Sequence, residues 1–174
     1  MAAPIQTARL LLRPFRDEDE TGLDRLWNDP LVRRYLWDGR PVPRQVVVKQ
    51  IELSRRSFKE HGFGHFPISP REDPSRIIGF VGLSVKEASG TTELYFALLP
   101  AHWGQGLATE AAKAILQFGF EEIGLAEIEA GADPPNAASF RVMERLGMVF
   151  AEDRRVGKLP VRYYRIRRQS LALR

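Results

Sequence analysis

The sequence predicts a mixed α/β fold, of the α+β kind, in which about four helices flank a central sheet of about six or seven strands. Segments rich in β-branched and aromatic residues occupy the middle of the chain, where short polar turns separate them as in an antiparallel meander. Strand–helix–strand crossovers follow only in the second half, so the sheet should be antiparallel at first and parallel later. The 174 residues fit one domain, which we expect to span residues 1–174.

Apolar segments bounded by turn residues predict the strands. They are residues 10–12, 63–68, 77–85, 93–98 and 127–131, with short strands near Val149 and Tyr164. Helical spacing predicts a first helix over about 18–28, with Asp17 as N-cap and Glu20 closing a capping box. Its buried stripe would be Leu23, Leu26 and Trp27.

Four further helical segments are expected along the chain. Residues 30–37 fit one helical turn after Asp29-Pro30, and a helix should run from Pro43 to about residue 60. Two more helices should cover about residues 107–118 and 136–146. The buried face of the earlier of these two would consist of Leu107, Ala111, Ile115 and Phe118.

Composition indicates an ordinary globular protein, with 44% hydrophobic and 28% charged residues. No stretch approaches the ~20 apolar residues of a membrane span, and the N-terminus lacks a signal-peptide pattern. We therefore expect a cytoplasmic protein with no membrane partner. The absence of cysteine excludes disulfides, thiolate metal ligands and an acetyl-cysteine intermediate.

The basic residues are 21 Arg and 5 Lys, and the net charge is +4. An excess of Arg suits the binding of phosphates or carboxylates, because the guanidinium group can bond two oxygens at once. The total charge is too small to indicate nucleic-acid binding. The one local basic cluster, residues 162–168, alternates along a predicted strand, which favours a solvated face.

The turn at residues 103–110 combines Gly104, Gly106 and Ala108 at the start of a helix. Small residues there let a phosphate approach backbone N–H groups, and the helix N-terminus adds roughly half a positive charge. A tight turn that packs the helix onto the sheet explains the same residues equally well. The chain has no P-loop string, and Thr109 stands where the dinucleotide fingerprint needs Gly or Ala. Neither of these phosphate sites fits.

Two longer blocks resemble a known family. The string Pro-x-x-Trp-Gly-x-Gly-x-Ala-Thr-Glu-Ala from Pro100 resembles the coenzyme A pyrophosphate loop of GNAT acetyltransferases. The block Asn-Ala-Ala-Ser-Phe-Arg-Val-Met-Glu-Arg-Leu-Gly-Met from Asn136 is similar to their downstream Asn…Leu-Gly-Phe segment. The segments that begin at Thr7 and Asn28 are similar to the RimJ/RimL-like branch of ribosomal-protein N-terminal acetyltransferases. The resemblance covers nearly the whole chain and implies the GNAT fold, acetyl-CoA as cosubstrate and an amine acceptor.

The resemblance assigns a coenzyme site residue by residue. It implies that the backbone of Phe96, Ala97 and Leu98 contacts the pantetheine and thioester, in a strand held open by a bulge. It implies a coenzyme loop made of Trp103, Gly104, Gln105, Gly106, Leu107, Ala108 and Thr109, whose amides from Gly104 onward bind the pyrophosphate. Asn136 should hydrogen-bond the pantetheine arm. Many relatives carry at the position of Met143 a Tyr that protonates the leaving thiolate, and Met cannot do so.

Attack of an amine on a thioester requires a neutral amine, a donor for the oxyanion and a proton for the thiolate. Glu93 is the candidate base, since it begins the strand that should deliver the coenzyme; a solvated or salt-bridged carboxylate is the alternative. The resemblance implies the Leu98 N–H as the oxyanion donor. Ser139 could act as a relay or hydrogen-bond donor near the thiolate, or bond only to local backbone.

The remaining candidate residues are expected to have structural and not chemical roles. Glu110 should stabilise the helix dipole or pack against its neighbours. The spacing of His61, His65 and His102 does not suit a metal site, so no metal is assigned. Three aromatic residues flank the region that forms the acceptor side in relatives and could line the cleft: Trp27, Tyr35 and Trp37. For Trp27, packing in the core is the preferred interpretation.

Three functions remain open. The first is direct acetyl transfer from acetyl-CoA to a protein N-terminal amine or to a small amine such as a polyamine, an amino acid or an aminoglycoside. The second is a catalytically weak coenzyme-A-binding sensor or interaction module, which the substitution by Met143 keeps open. The third, nucleic-acid binding through residues 162–168, ranks well below both. A homodimer is left open as its assembly.

Overall fold

The computed structural model describes residues 3–86 and 89–171. In chain order its strands are β1 (Ile5–Gln6), β2 (Leu10–Leu12), β3 (His65–Pro70), β4 (Gly79–Val85), β5 (Thr92–Leu98), β6 (Glu127–Ala132), β7 (Val149–Val156) and β8 (Leu159–Arg167). Its α-helices are α1 (Glu20–Asn28), α2 (Pro30–Leu36), α3 (Arg44–His61), α4 (Leu107–Gln117), α5 (Ala137–Arg145) and α6 (Arg168–Leu171). Short 3₁₀ turns cover Asp17–Asp19 and Pro100–His102, and a π-helical turn covers Phe118–Glu122.

All of these strands belong to one sheet with the order β1-β2-β3-β4-β5-β6-β8-β7. Neighbouring strands are antiparallel except β5 and β6, which are parallel. The predicted mixed sheet is confirmed. The described residues also contain one strand and one helix that the sequence did not predict. These are β1, of 2 residues, and α6, of 4 residues. Elements this short leave no periodic pattern in a sequence, and the sheet therefore has eight strands rather than six or seven.

The start of α1 differs from the prediction. The chain enters this helix through the Asp17–Asp19 turn. As a result, the side chain of Asp19, and not that of Asp17, is the one that bonds the backbone N–H of Arg16. The Asp19 carboxylate accepts the Arg16 N–H at 2.8 Å and pairs with the Arg13 guanidinium at 2.6 Å. The predicted capping box of Asp17 and Glu20 is therefore wrong, while the predicted buried stripe is confirmed: Leu23, Leu26 and Trp27.

The sheet separates two apolar clusters. One lies between the sheet and the helices α4 and α5, and the other lies between the sheet and the helices α1, α2 and α3. The predicted buried face of α4 is confirmed and belongs to the first cluster: Leu107, Ala111, Ile115 and Phe118. Strand β5 contributes to both clusters, because its side chains alternate between the two faces. Leu94, Phe96 and Leu98 face the first cluster, whereas Tyr95 and Ala97 face the second.

Candidate active site

The sheet opens between β5 and β6. These parallel strands pair only at Glu93 and Glu129, and they separate toward their carboxyl ends. Strands β4 and β5 stay in one unbroken register from Val85–Thr92 to Gly79–Leu98. The predicted bulge in β5 is therefore wrong, and the opening lies where the pairing of β5 with β6 ends. Two parallel strands are joined by a long crossover and not by a tight turn. The chain therefore does not hold the carboxyl ends of β5 and β6 next to each other.

The helices α4 and α5 begin beside this opening. The first follows the carboxyl end of β5 and the second follows the carboxyl end of β6. Both helix N-termini therefore lie at the edge where the two strands diverge. Open α/β sheets bind ligands at such an edge, outside the carboxyl ends of their strands.

The edge of β5 presents backbone donors to the opening. Leu99 donates its N–H to the carbonyl of Ile78 at 2.8 Å. Successive backbone groups along a strand point to opposite edges. The N–H groups of Phe96 and Leu98 therefore point away from β4 and toward the opening, whereas the backbone groups of Ala97 point to β4.

The turn before α4 leaves a row of backbone donors without partners. Gly104 and Gly106 have φ of 73° and 75°, a left-handed conformation that side chains disfavour, and Gly106 is the N-cap of α4. In the part of the chain that the structure describes, the N–H groups of residues 104–109 donate no hydrogen bond. The hydroxyl of Thr109 is buried and also lacks a partner there. Donors that water or a ligand must satisfy, at the positive end of a helix, form a cradle for an anion.

Side chains support this loop more than they line it. Trp103 is 48% exposed as a residue, yet its indole Nε1 donates to the carbonyl of Leu98 at 2.7 Å and so ties the loop to the edge of β5. Gln105 donates its side-chain amide to the Ala101 carbonyl at 3.0 Å. Leu107 is buried in the core, and Ala108 packs against it. The anion cradle therefore consists of backbone groups.

The start of α5 lies on the other side of the opening. Asn136 is the N-cap of this helix, and its side-chain oxygen accepts the N–H of Ser139 at 3.2 Å. Its side-chain N–H₂ group makes no hydrogen bond within the described residues, which leaves it available as a donor. The hydroxyl of Ser139 is partly exposed and is likewise without a partner in the described chain.

Glu93 lies on the opposite face of β5 from the anion cradle and belongs to a paired network. Its Oε2 contacts the Lys86 ammonium at 2.6 Å and accepts the Tyr95 hydroxyl at 2.9 Å. The carboxylate is thus salt-bridged rather than solvated, with 4% of the residue exposed. Burial raises the pKa of Tyr95, and the charge of Glu93 raises it further, so Tyr95 keeps its proton. Glu93 Oε1 has no partner among the described residues.

Lys86 completes this network from the end of β4. Its ammonium also contacts the hydroxyl of Tyr163 and lies 4.4 Å from the centre of that ring. Burial alone would lower the pKa of Lys86, but hydrogen bonds with Glu93 and Tyr163 outweigh it, and the pKa is raised. Lys86 therefore stays charged and holds one oxygen of the carboxylate.

A second buried carboxylate, Glu129, lies directly beside Glu93 on β6. Arg154 bonds both of its oxygens, at 2.9 and 3.0 Å, and Arg165 adds a contact at 2.7 Å. The hydrogen bonds from Arg154 are the main reason that the pKa of Glu129 is lowered. Arg162 and Arg167 pair with acidic side chains in the same way. Four arginines of this region are thus engaged in ion pairs within the protein.

Aromatic rings fill the layer between β5 and the helices α1 and α2. Trp27 packs edge-on against Trp37 and Phe80, with ring centres 5.6 and 5.7 Å apart. Trp27 is a core residue, as the sequence predicted, whereas Trp37 is only partly buried and follows α2. His65 lies among the same rings, 6.0 Å from that of Tyr95, and burial lowers the pKa of His65 to about 4.

Met143 is buried in the core between α5 and the sheet. Over the described ranges, no group of three or more His, Cys, Asp or Glu residues is placed to hold a metal ion.

Among the helices of the described chain, none is long and apolar enough to cross a membrane.

Sequence reasoning missed two sets of partners. It did not find Lys86, which reaches Glu93 diagonally across the β4–β5 pair; the register of that pair would have predicted the contact. It also missed Thr7 and Arg9, which bind Glu110 from a segment about a hundred residues away in the chain. No local pattern signals a contact over that separation.

Comparison with known proteins agrees with this geometry. Residues 9–149 match the family described as acetyltransferase (GNAT) domain. The uncharacterized protein YkkB of Bacillus subtilis is 32% identical over 161 residues, which cover 91% of this chain and 92% of that one. A GNAT-family acetyltransferase from Bacillus anthracis is 26% identical with a TM-score of 0.79, covering 96% of this chain and 99% of its own.

The fold is also that of RimL, a ribosomal alpha-N-protein acetyltransferase solved in complex with coenzyme A. The TM-score is 0.79 at 14% identity, with 95% of this chain and 98% of that chain covered. The chain therefore belongs to the GNAT acetyltransferase family. The expected class of enzyme, an acyltransferase that uses acetyl-CoA, is confirmed by this membership.

Proposed function

We propose that this protein transfers acetyl directly from acetyl-CoA to an amine, with the two substrates on opposite sides of β5. The observation that carries the proposal is the row of unpartnered N–H groups at residues 104–109 beside the open edge of β5. These donors suit the pyrophosphate of coenzyme A. The N–H groups of Phe96 and Leu98 suit the pantetheine arm and the thioester, and Asn136 offers an amide donor from the start of α5.

We assign one group of the chain to each step of the transfer. The amine nitrogen attacks the thioester carbon, and the Leu98 N–H donates to the oxygen that becomes negative. Glu93 Oε1, directly or through a water molecule, accepts the proton that the amine nitrogen loses. The C–S bond then breaks, and the thiolate takes up a proton, for which the Ser139 hydroxyl serves as a relay. Zero cysteines in the chain favour transfer in a ternary complex over a covalent enzyme intermediate.

The acceptor side favours a cationic amine. Asp133 follows the carboxyl end of β6, at the same edge as the opening. Burial raises the pKa of Asp133, and the nearby negative charge of Asp38 raises it further. A cation close to these two carboxylates would relieve their repulsion. A protein N-terminus and a polyamine both present such a charge.

A coenzyme-A-binding sensor is the second candidate. Two observations favour it: Met143 replaces a proton donor, and Glu93 is already held by Lys86. The sensor would use the same backbone cradle without turnover.

One assay separates the two functions. Free thiol released from acetyl-CoA should be measured with a panel of N-terminal peptides, polyamines, amino acids and aminoglycosides, alongside calorimetry with coenzyme A. We expect binding together with acceptor-dependent thiol release. Binding without release for any acceptor would favour the sensor, and absence of binding would overturn the coenzyme site itself. Parallel double-reciprocal plots with two substrates would argue for a covalent intermediate.

A further inference from the structure

The turn between β1 and β2 contacts the coenzyme loop from behind. Arg9 Nε donates to Glu110 Oε2 at 2.7 Å, and the Arg9 backbone N–H donates to Glu110 Oε1 at 2.9 Å. The Thr7 hydroxyl donates to the same Oε1 at 2.6 Å. Glu110 lies in the first turn of α4, immediately after the row of free backbone donors. The N-terminal segment of the chain is thus attached to the helix that carries the anion cradle.

Arg9 also bonds the loop itself. Its Nη1 donates to the carbonyl oxygen of Gln105 at 2.9 Å. A trans peptide unit is planar, so its carbonyl and the following N–H point in opposite directions. Because Arg9 holds the Gln105 carbonyl, it turns the Gly106 N–H away from itself and toward the open side of the loop. Arg9 Nη2 lies 3.7 Å from the place where a Cβ on Gly106 would be, which leaves the guanidinium directly behind that peptide.

The same guanidinium neutralises a charge that would oppose an anion. An acidic side chain in the first turn of a helix stabilises the helix dipole, but it repels a phosphate bound at the same end. Glu110 is paired with Arg9 at 2.7 Å, and its side chain is only 18% exposed. Burial alone would raise the pKa of Glu110, but hydrogen bonds from Thr7 and Arg9 outweigh it and lower the pKa. The pair therefore brings no net charge to the cradle.

We propose that Arg9 is a positioning residue for the pyrophosphate of coenzyme A: it orients the Gly106 N–H through Gln105 and cancels the charge of Glu110. This inference rests on the proposed function, since it assumes that the pyrophosphate occupies the cradle. It assigns a role to a residue that lies outside the coenzyme loop and outside the strands that border the opening.

The test compares two ligands in four proteins. Calorimetry with coenzyme A, and displacement of coenzyme A by pantetheine, should be measured for the wild type, Arg9→Ala, Arg9→Lys and Arg71→Ala. Arg71 is the matched control, because it bonds the backbone of the same turn, at Thr7 and Ala8, without contact to Glu110 or Gln105. Pantetheine lacks the pyrophosphate and so reports on the rest of the site.

We expect Arg9→Ala to weaken coenzyme A binding about 10-fold or more, with a much smaller change for pantetheine. Arg9→Lys should weaken it nearly as much, because one ammonium cannot hold Glu110 and Gln105 in the same forked geometry. Arg71→Ala should bind like the wild type. Equal losses for both ligands would reduce Arg9 to a general structural role, and full rescue by Lys would show that charge alone matters. Either result would overturn the inference.

The outcome also separates this inference from the proposed function. A wild-type protein that does not bind coenzyme A would sink the proposed function. A wild type that binds, together with an Arg9→Ala variant of unchanged affinity, would sink only the role of Arg9. Thermal unfolding without ligand checks that the variants are folded, and Glu110→Gln gives a second variant. Glu110→Gln removes the negative charge that Arg9 cancels and keeps the contact of Arg9 to Gln105, so coenzyme A should bind about as tightly as to the wild type. A loss as large as that of Arg9→Ala would contradict the role assigned to Arg9.

Discussion

The two sides of β5 are built in different ways. On the side of α4, the donors that face the opening belong to the backbone of residues 104–109, and they have no partner within the described chain. On the side of α1 and α2, the polar groups are side chains, and most of them are already paired: Glu93 with Lys86 and Tyr95, and Glu129 with Arg154. One side is left open for an anion, whereas the other holds its charges in place.

This difference indicates how each side would work. A backbone cradle binds a phosphate without reorganising, because its geometry is set by glycine conformations and by a helix N-terminus. A paired carboxylate must act with the one oxygen that remains, here Glu93 Oε1. Function on the paired side therefore depends on the orientation of the Glu93 carboxylate. Binding on the open side depends on free space and on unpaired N–H groups. Four substitutions test this contrast.

The largest effect is expected on the paired side, from Glu93→Gln. If Glu93 accepts the proton of the amine, kcat should fall about 10²–10⁴-fold while coenzyme A binding persists. Lys86→Gln is the matched control, because it removes the same ion pair but leaves the carboxylate. Equal losses in both variants would mean that the ion pair, not a base, is what the site needs.

The next effect is expected on the open side, from Gly106→Val. A side chain at this left-handed N-cap would strain the turn and press on the Arg9 guanidinium, whose Nη2 lies 3.7 Å from the Cβ position. The backbone donors of the loop would then lose their alignment, so affinity for coenzyme A should fall by at least about 100-fold. Gly157→Val is the control: it has a comparable φ of 61° with free space around it, in the turn between β7 and β8. Unchanged calorimetric affinity in folded Gly106→Val would remove the loop from the coenzyme site.

A smaller effect is expected from Ser139→Ala, at the start of α5. The helix cap uses the N–H of Ser139 and not its hydroxyl, so the variant should fold normally. A thiol with a pKa of about 8.5 leaves adequately without an acid, so kcat should fall less than about 10-fold. Steady-state kinetics at saturating acetyl-CoA measures this change. A loss as large as that of Glu93→Gln would make Ser139 an essential proton donor.

The smallest effect concerns stability on the paired side. Burial lowers the pKa of His65 to about 4, so between this value and about 6.5 the unfolded chain binds a proton that the folded protein does not. Stability should therefore fall as the pH falls, by about 1 kcal/mol from His65 between pH 7.5 and pH 6. Urea unfolding at both pH values measures it. His65→Gln should lose this dependence, and His61→Gln, at the exposed end of α3, should keep it; equal slopes in the wild type and in His65→Gln would contradict the assignment.

The elements of the fold were largely predictable, and the partners of the polar side chains were not. The buried stripes of α1 and α4 follow from spacing alone, because a helix that packs on a sheet must place apolar residues at regular intervals. The cap of α1 was predicted at Asp17 but lies at Asp19, since a 3₁₀ turn shifts the register by two residues. The opening was expected from a bulge in β5, yet β5 keeps its register with β4 and the opening lies where its pairing with β6 ends.

The sequence by itself determined a turn before a helix N-terminus, because Gly104 and Gly106 precede a helical pattern and favour a left-handed backbone through local conformational preferences. Whether this turn packs the helix or cradles an anion stayed open at the level of sequence. Only the tertiary structure decided which charges meet. The contacts of Lys86 with Glu93 and of Arg9 with Glu110 depend on strand register and on the packing of distant segments. Local propensities act over a few residues, whereas an ion pair depends on distance in space, and that distance is set only when the sheet and its helices assemble.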